Sequence, residues 1–262
     1  MEEDPLEPLL RIYICGRLAL EHDDLVLGEG AFPARQGRRL WAFLVLRRRW
    51  PVPRDEMAAA VWGDAVPDAW DITLNALVSR LRAVLRPVTA RVPEVGIRGE
   101  VGRYVLTLPG AVFVDAERAR SGLHAAETAL RRRDCETALS EARVAMEIAA
   151  RGFLGGEDAP WIEGQRRALL DLQLHALECT VEAELLRGNP DIAEREAEYL
   201  LFLDPLRESG YRLLMRALAA GGNAAQAVRV MEDCRRRLRD EGGMAPSLET
   251  EHVFQSVTIR GS

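Results

Sequence analysis

The sequence predicts an α+β N-terminal region followed by an all-α region of helical repeats, and three observations carry that prediction. One strongly amphipathic helix, AWDITLNALVSRLRAVLRP from residue 69, runs into two short apolar stretches around a glycine-rich turn, VGIRGEVGRYVLTLP from residue 95. Short alternating runs precede it, as strands require. From Val112 onward the alternation gives way to almost unbroken helical periodicity.

Taken in order, LLRIYICGRLAL and DLVLGEGAF read as strands of a small antiparallel sheet. A helix is expected over about residues 38–48, with Trp41, Leu44 and Val45 on one side and arginines gathering at its end, where they suit the helix dipole. WPVP breaks it, because proline cannot continue a helix and restrains the residue before it. A second helix, RDEMAAAVW, stops at Gly63, a ready C-terminal cap. After the loop DAVPD come the long helix and the hairpin, and strands, three helices and a hairpin in that order make a winged helix-turn-helix with an N-terminal sheet.

At 100° per residue, Leu74, Leu77, Val78, Leu81, Val84 and Leu85 fall on one stripe that must face a core. The opposite side carries Ala76, Ser79, Arg80, Ala83 and Arg86, edged by Thr73 on one flank and by Asn75 and Arg82 on the other. Small residues let a helix backbone sink into a major groove, while Asn and Arg reach base edges or phosphates. An ordinary solvated surface would show the same arginines, and it is the hairpin and the helices before it that favour duplex DNA.

Beneath the helical periodicity lies a repeat. Asn189 with Ala193 recurs as Asn223 with Ala227, 34 residues on, and Asp134 with Ala138 makes a third copy. Thirty-four residues is the tetratricopeptide period, in which small residues mark where paired helices pack closely. The first interval is longer, and GFLGGEDAPW accounts for an interruption. The expected domains are therefore residues 1–110, a DNA-binding winged helix, and residues 111–262, a tetratricopeptide-like domain.

Composition narrows the chemistry. No apolar run approaches the roughly 18–20 residues of a membrane span, and the start MEEDPLEPLL is acidic where a secretory signal would be basic, so a cytoplasmic protein without a membrane partner is expected. All 35 basic residues are arginine. The absence of lysine excludes a Walker-A loop, a Schiff-base lysine and a kinase-type lysine, while arginine alone serves for phosphate and guanine. Four scattered cysteines suit a reduced compartment. His175 and Cys179 form an i, i+4 pair with no second pair in view, so no metal, no cofactor and no catalytic residue is expected. The net charge of −6 is uneven, for residues 11–110 hold 15 arginines against 11 carboxylates, and residues 111–262 hold 20 against 26. A basic front on an acidic back suits a two-domain regulator.

The VWGDAVP turn, TLNALVSRLRAVL and the closing GRYVL resemble the OmpR-type winged helix of the Streptomyces antibiotic regulatory protein (SARP) family. The resemblance implies that the helix matching residues 71–86 enters the major groove and that the hairpin matching 95–108 touches the minor groove or the backbone, with Arg98, Arg103 and the turn 99–102 as its wing. Tyr104 is expected in the core. The second region resembles the bacterial transcriptional activation domain of the same family, on the Ala-Pro-Trp of 159–161, DPLRE before LLMRALAAGG, and RRRLRDEGGMAPS. EGGMAPSLET departs from the tighter turn usual there, so the resemblance does not extend to the last helix. No further module is expected after Ser262, unlike in larger relatives.

The expected function is a sequence-specific transcriptional regulator, an activator on promoter repeats. Its DNA-binding residues would be Thr73, Asn75, Ser79, Arg80, Arg82, Arg86, Arg98 and Arg103. The implied partners are double-stranded promoter DNA, RNA polymerase or its sigma factor, and a second protomer on DNA. Arg47, Arg48 and Arg49 divide between phosphate contact and a plain helix end. The alternatives are a helical-repeat adaptor whose winged helix has lost DNA, and a repressor.

Overall fold

The structure is a computed structural model describing residues 10–259; the acidic start of the chain and Ser262 lie outside the described residues. It divides into two compact units, one of Met1–Arg118 with Arg151–Leu169 and one of Ala119–Ala150 with Leu170–Ser262. The sequence reading places 151–169 in the helical-repeat domain, whereas their contacts place them with the first unit.

In the first unit, β1 (Leu10–Tyr13), β2 (Ala19–His22) and β3 (Leu25–Leu27) form the expected antiparallel ladder. A fourth strand, β7 (Val112–Val114), pairs parallel to β1, with Leu10 opposite Val112. This corrects the expectation of helix from Val112 onward. Three residues are too short for periodicity to separate strand from helix, and the β1 edge supplies the deciding hydrogen bonds. Asp115, directly after β7, is fully buried and accepts the amides of Ile14, Cys15 and Ala116 at 2.8–3.1 Å. Those bonds end β1 against the start of the following helix.

Helix α1 (Ala34–Leu46) starts four residues before its expected onset and buries Leu40, Trp41, Leu44 and Val45. Strand β4 (Val52–Pro53) is what the WPVP break becomes, pairing Val52 with Tyr104. Helix α2 (Arg54–Trp62) ends where expected, at Gly63 with φ 61°. Helix α3 (Trp70–Thr89) runs through Pro87, which lies on the exposed side, so the Ala83 carbonyl deprived of an amide partner faces solvent rather than core. The hairpin β5 (Gly96–Glu100) and β6 (Arg103–Thr107) turns through Val101 and Gly102, and Gly102 takes a left-handed φ of 71° that glycine adopts without strain.

Residues 151–169 complete this unit. Glu157, 3% exposed in its side chain, receives Arg35 at 2.5 Å, Arg39 at 2.7 Å and Arg38 at 3.0 Å. Burial pushes its carboxyl up, but the three guanidiniums outweigh burial and hold it below the ordinary glutamate range. Trp161 donates its indole N–H to the Ala60 carbonyl at 2.8 Å and stands edge-on to Phe43 and Phe153.

The second unit takes in the helices α4 (Asp115–Arg131, from Ala119), α5 (Cys135–Ala149), α6 (Pro160–Arg187, from Leu170), α7 (Pro190–Leu203), α8 (Glu208–Ala220), α9 (Ala224–Gly242) and α10 (Leu248–Ile259). The three repeat signatures fall at equivalent places: Asp134, Asn189 and Asn223 are N-caps of α5, α7 and α9, and Ala138, Ala193 and Ala227 are fully buried. Each cap follows a residue in the left-handed region, Arg133, Gly188 and Gly222, and each cap amide bonds to the carbonyl five residues back. The turn before the last helix resolves as a left-handed cap at Gly243, whose successor Met244 donates to the Leu238 carbonyl. Serine and threonine then open α10, with Ser247 and Thr250 both bonded to Glu208.

Candidate nucleic-acid interface

Helix α3 divides as its spacing predicts. Leu74, Leu77, Val78, Leu81 and Leu85 are buried and Val84 is half-buried, while Thr73, Asn75, Ser79, Arg80, Arg82 and Arg86 are exposed along the other arc. At about 25 cal/mol per Å², the buried stripe fixes which way the helix faces far more strongly than any polar contact on it. The exposed arc is thus a consequence of the core.

The polar side chains are not equivalent. Arg80 and Arg86 make no ion pair or hydrogen bond with the described residues, so their guanidiniums are available to a partner. Arg82 is committed: its Nε donates to the Ile97 carbonyl at 2.9 Å, and its guanidinium lies 5.8 Å from the Tyr104 ring centroid. It braces the hairpin against α3. Thr73 donates its hydroxyl to the Ala69 carbonyl one turn back, at 3.0 Å.

Asn75 is the best-held of the set. Its Oδ1 accepts from the Tyr104 hydroxyl at 2.9 Å and from Arg54 Nη2 at 3.1 Å. Arg54 also donates to the Asp71 carbonyl at 3.1 Å, and its guanidinium lies 5.9 Å from the Trp70 ring centroid. Tyr104 is half-buried rather than a core residue, since its hydroxyl reaches out to Asn75. Arg54 and Tyr104 are the residues that sequence reasoning missed here. The contacts join residues 21 and 29 positions apart on different elements, and no local pattern announces them.

On the hairpin, Arg98 and Arg103 are exposed and make no ion pair or hydrogen bond with the described residues. Register places them together, for Glu100 pairs with Arg103 and Arg98 is two residues before Glu100, so all three share one face. Ile97 and Leu106, buried and paired, take the other face with Tyr104. The structure therefore joins Thr73, Asn75, Ser79, Arg80, Arg82 and Arg86 on one helix and sets Arg98 and Arg103 apart on the hairpin face away from Tyr104.

Other arginines are spoken for. Arg48 forms a two-bond fork with Glu117 at 2.7 Å, Arg49 approaches the same carboxylate at 3.5 Å, and Arg47 pairs with Glu56 at 3.2 Å. Arg48 is the chief cause that keeps the Glu117 carboxyl below its ordinary range. In the helical unit, His175 Nδ1 stands 3.4 Å from Asp171, and burial pushes the Cys179 thiol up to about 12. Among the described residues no helix is long and apolar enough to cross a membrane.

Comparison with known proteins gives the family of the chain and the likeness of its fold. The bacterial transcriptional activator domain matches residues 114–258, a span that takes in the segment 151–169 whose contacts lie in the first unit. The regulatory protein AfsR of Streptomyces coelicolor is 31% identical over 248 residues, covering 95% of this chain but 24% of AfsR. The regulatory protein DnrI of Streptomyces peucetius is 23% identical over 257 residues, covering 95% of this chain and 92% of DnrI. The chain thus spans about a quarter of the length of AfsR and nearly all of DnrI. Among solved structures, Mycobacterium tuberculosis EmbR, in complex with a low-affinity phosphopeptide, superposes with a TM-score of 0.83 at 22% identity, covering 97% of this chain and 66% of that one. That likeness speaks to the fold, a mixed α+β N-terminal region followed by a mostly helical one. With the activator domain matched over more than half of its length, the chain belongs to the bacterial transcriptional activator domain family of SARP-type transcriptional regulators.

Proposed function

We propose that the protein is a cytoplasmic, sequence-specific DNA-binding activator whose N-terminal unit is an OmpR-type winged helix-turn-helix. In this reading α2, the turn after Gly63 and α3 form the helix-turn-helix, α3 lodges in the major groove, and the hairpin β5–β6 is the wing. The observation that carries it is the exposed arc of α3: a buried leucine stripe holds it outward, Arg80 and Arg86 have no protein partner among the described residues, and Arg82 fastens the hairpin beside it. Asn75, Ser79, Arg80 and Thr73 take the base-reading positions, Arg86 a phosphate, and Arg98 and Arg103 anchor the wing on the backbone.

The helical unit supports side-by-side binding of two protomers on promoter repeats and contacts RNA polymerase or its sigma factor. Recruitment needs no chemistry, since about 2 kcal/mol of favourable contact multiplies polymerase occupancy roughly thirtyfold. The family of transcriptional regulators and the unpaired arginines both favour this reading over an adaptor that has lost DNA.

Binding titrations on the DNA upstream of the protein's own gene test it. The account expects affinity that falls steeply with salt and exceeds that for a scrambled duplex. Equal affinity for the scrambled duplex contradicts it. Arg80→Ala should cost about 1–3 kcal/mol of specific binding if Arg80 reads a base, and an unchanged titration removes Arg80 from the interface.

A further inference from the structure

We propose that Asn75 acts as a donor-only reader that prefers guanine to adenine, because Tyr104 and Arg54 already occupy its carbonyl oxygen. The proposal rests on the reading above, in which α3 enters the major groove. A free asparagine amide offers one acceptor oxygen with two lone pairs and one nitrogen with two N–H donors, and pairs with adenine by accepting from N6 while donating to N7. Here Oδ1 accepts from the Tyr104 hydroxyl at 2.9 Å and from Arg54 Nη2 at 3.1 Å, so both lone pairs are engaged. The orientation of the amide is fixed by chemistry: a guanidinium can only donate, and so the group facing Arg54 must be the oxygen.

Both partners are themselves held, so the occupancy exists before any DNA arrives. Tyr104 sits in β6 between Val52 of β4 and Gly99 of β5, with the Arg82 guanidinium 5.8 Å from its ring centroid. Arg54 donates its amide to the Gly102 carbonyl at 3.3 Å and its Nη2 to the Asp71 carbonyl at 3.1 Å. What Asn75 has left for a partner is Nδ2, on the exposed arc of the helix. Two donors match the adjacent N7 and O6 acceptors of guanine. Against adenine, an N–H of Asn75 would meet the N6 amino donor, and nothing on the side chain would accept from it. Arg54 and Tyr104 are thereby positioning residues that set the specificity of a third residue.

Selection of bound duplexes from a randomised library, with the full chain, tests this in two steps. Asn75→Ala identifies the base pair that Asn75 reads, as the position whose preference collapses, and guanine is expected there. Tyr104→Phe and, separately, Arg54→Met each release a lone pair, and the guanine-to-adenine preference at that one position should fall by about tenfold while preferences elsewhere persist. Adenine at the Asn75 position overturns the proposal, as does a guanine preference that neither variant alters. A library with no sequence preference for the unsubstituted protein defeats the DNA-reading account itself, whereas a clear preference that Asn75→Ala leaves intact defeats only this inference. An unchanged circular dichroism spectrum and a cooperative thermal transition show that the variants remain folded, and Asn75→Ala, at an exposed position, keeps the first step open in any case.

Discussion

Arg133 stands at a backbone position where its two counterparts are Gly188 and Gly222, all three with left-handed φ values of 59°, 77° and 83°. A side chain there crowds its own carbonyl, and the strain outweighs the extra chain freedom that glycine brings to the unfolded state. Arg133→Gly is expected to stabilise the protein by about 0.5–1 kcal/mol, seen as a higher thermal midpoint; a lowered midpoint contradicts the assignment of strain. Glu157 makes the opposite case, a buried carboxylate held ionised by three arginines. Its carboxyl titrates below the ordinary range when folded, so its stabilisation is complete above the unfolded value and is lost as pH falls through the folded one. Glu157→Gln should therefore flatten the acid limb below about pH 4.5 and cost about 2–4 kcal/mol at neutral pH, because Arg39 would stay buried without its counterion. An unaltered acid limb would show that the carboxylate is not what holds that cluster. The repeat alanines were legible because a fixed period exposes them. Glu157 was not, since its partners lie 118 to 122 residues away and nothing local marks a carboxylate as buried.

At the scale of elements, α3 and the hairpin work as a pair, fastened through Arg82 to Ile97 and through Asn75 to Tyr104. The stripe of α3 could be read from spacing alone, as could the end of α2 at Gly63. Which arginines are free could not, because Arg82 and Arg80 look alike in sequence and differ only in what the hairpin offers them. β7 and residues 151–169 escaped for a related reason: each is short, and each is fixed by an edge or a pocket that distant chain provides. Arg98 and Arg103 share a solvent-facing side of the hairpin with Glu100, away from the face that packs on α3. If they touch phosphates, replacing both by alanine should shrink the slope of log affinity against log salt by about 2, with sequence preference retained. An unchanged slope assigns the wing's grip to other groups.

Over the whole molecule, a chain of net charge −6 approaches a polyanion productively only if its charge is segregated, and the surplus of arginine over carboxylate lies in residues 11–110. The helical unit has its arginines paired repeatedly with its own carboxylates, as in Arg207 with Glu178 and Arg235 with Glu251. In the reading proposed above, that unit meets proteins rather than phosphates. The central claim is that the exposed arc of α3 occupies the major groove, and methylation interference on the footprinted promoter fragment tests it most directly. Methylation of guanine N7, in the major groove, should block binding at bases within the footprint, and Asn75→Ala or Arg80→Ala should erase the block at individual guanines. Interference confined to adenine N3, in the minor groove, or absent from a fragment the protein protects, would contradict it.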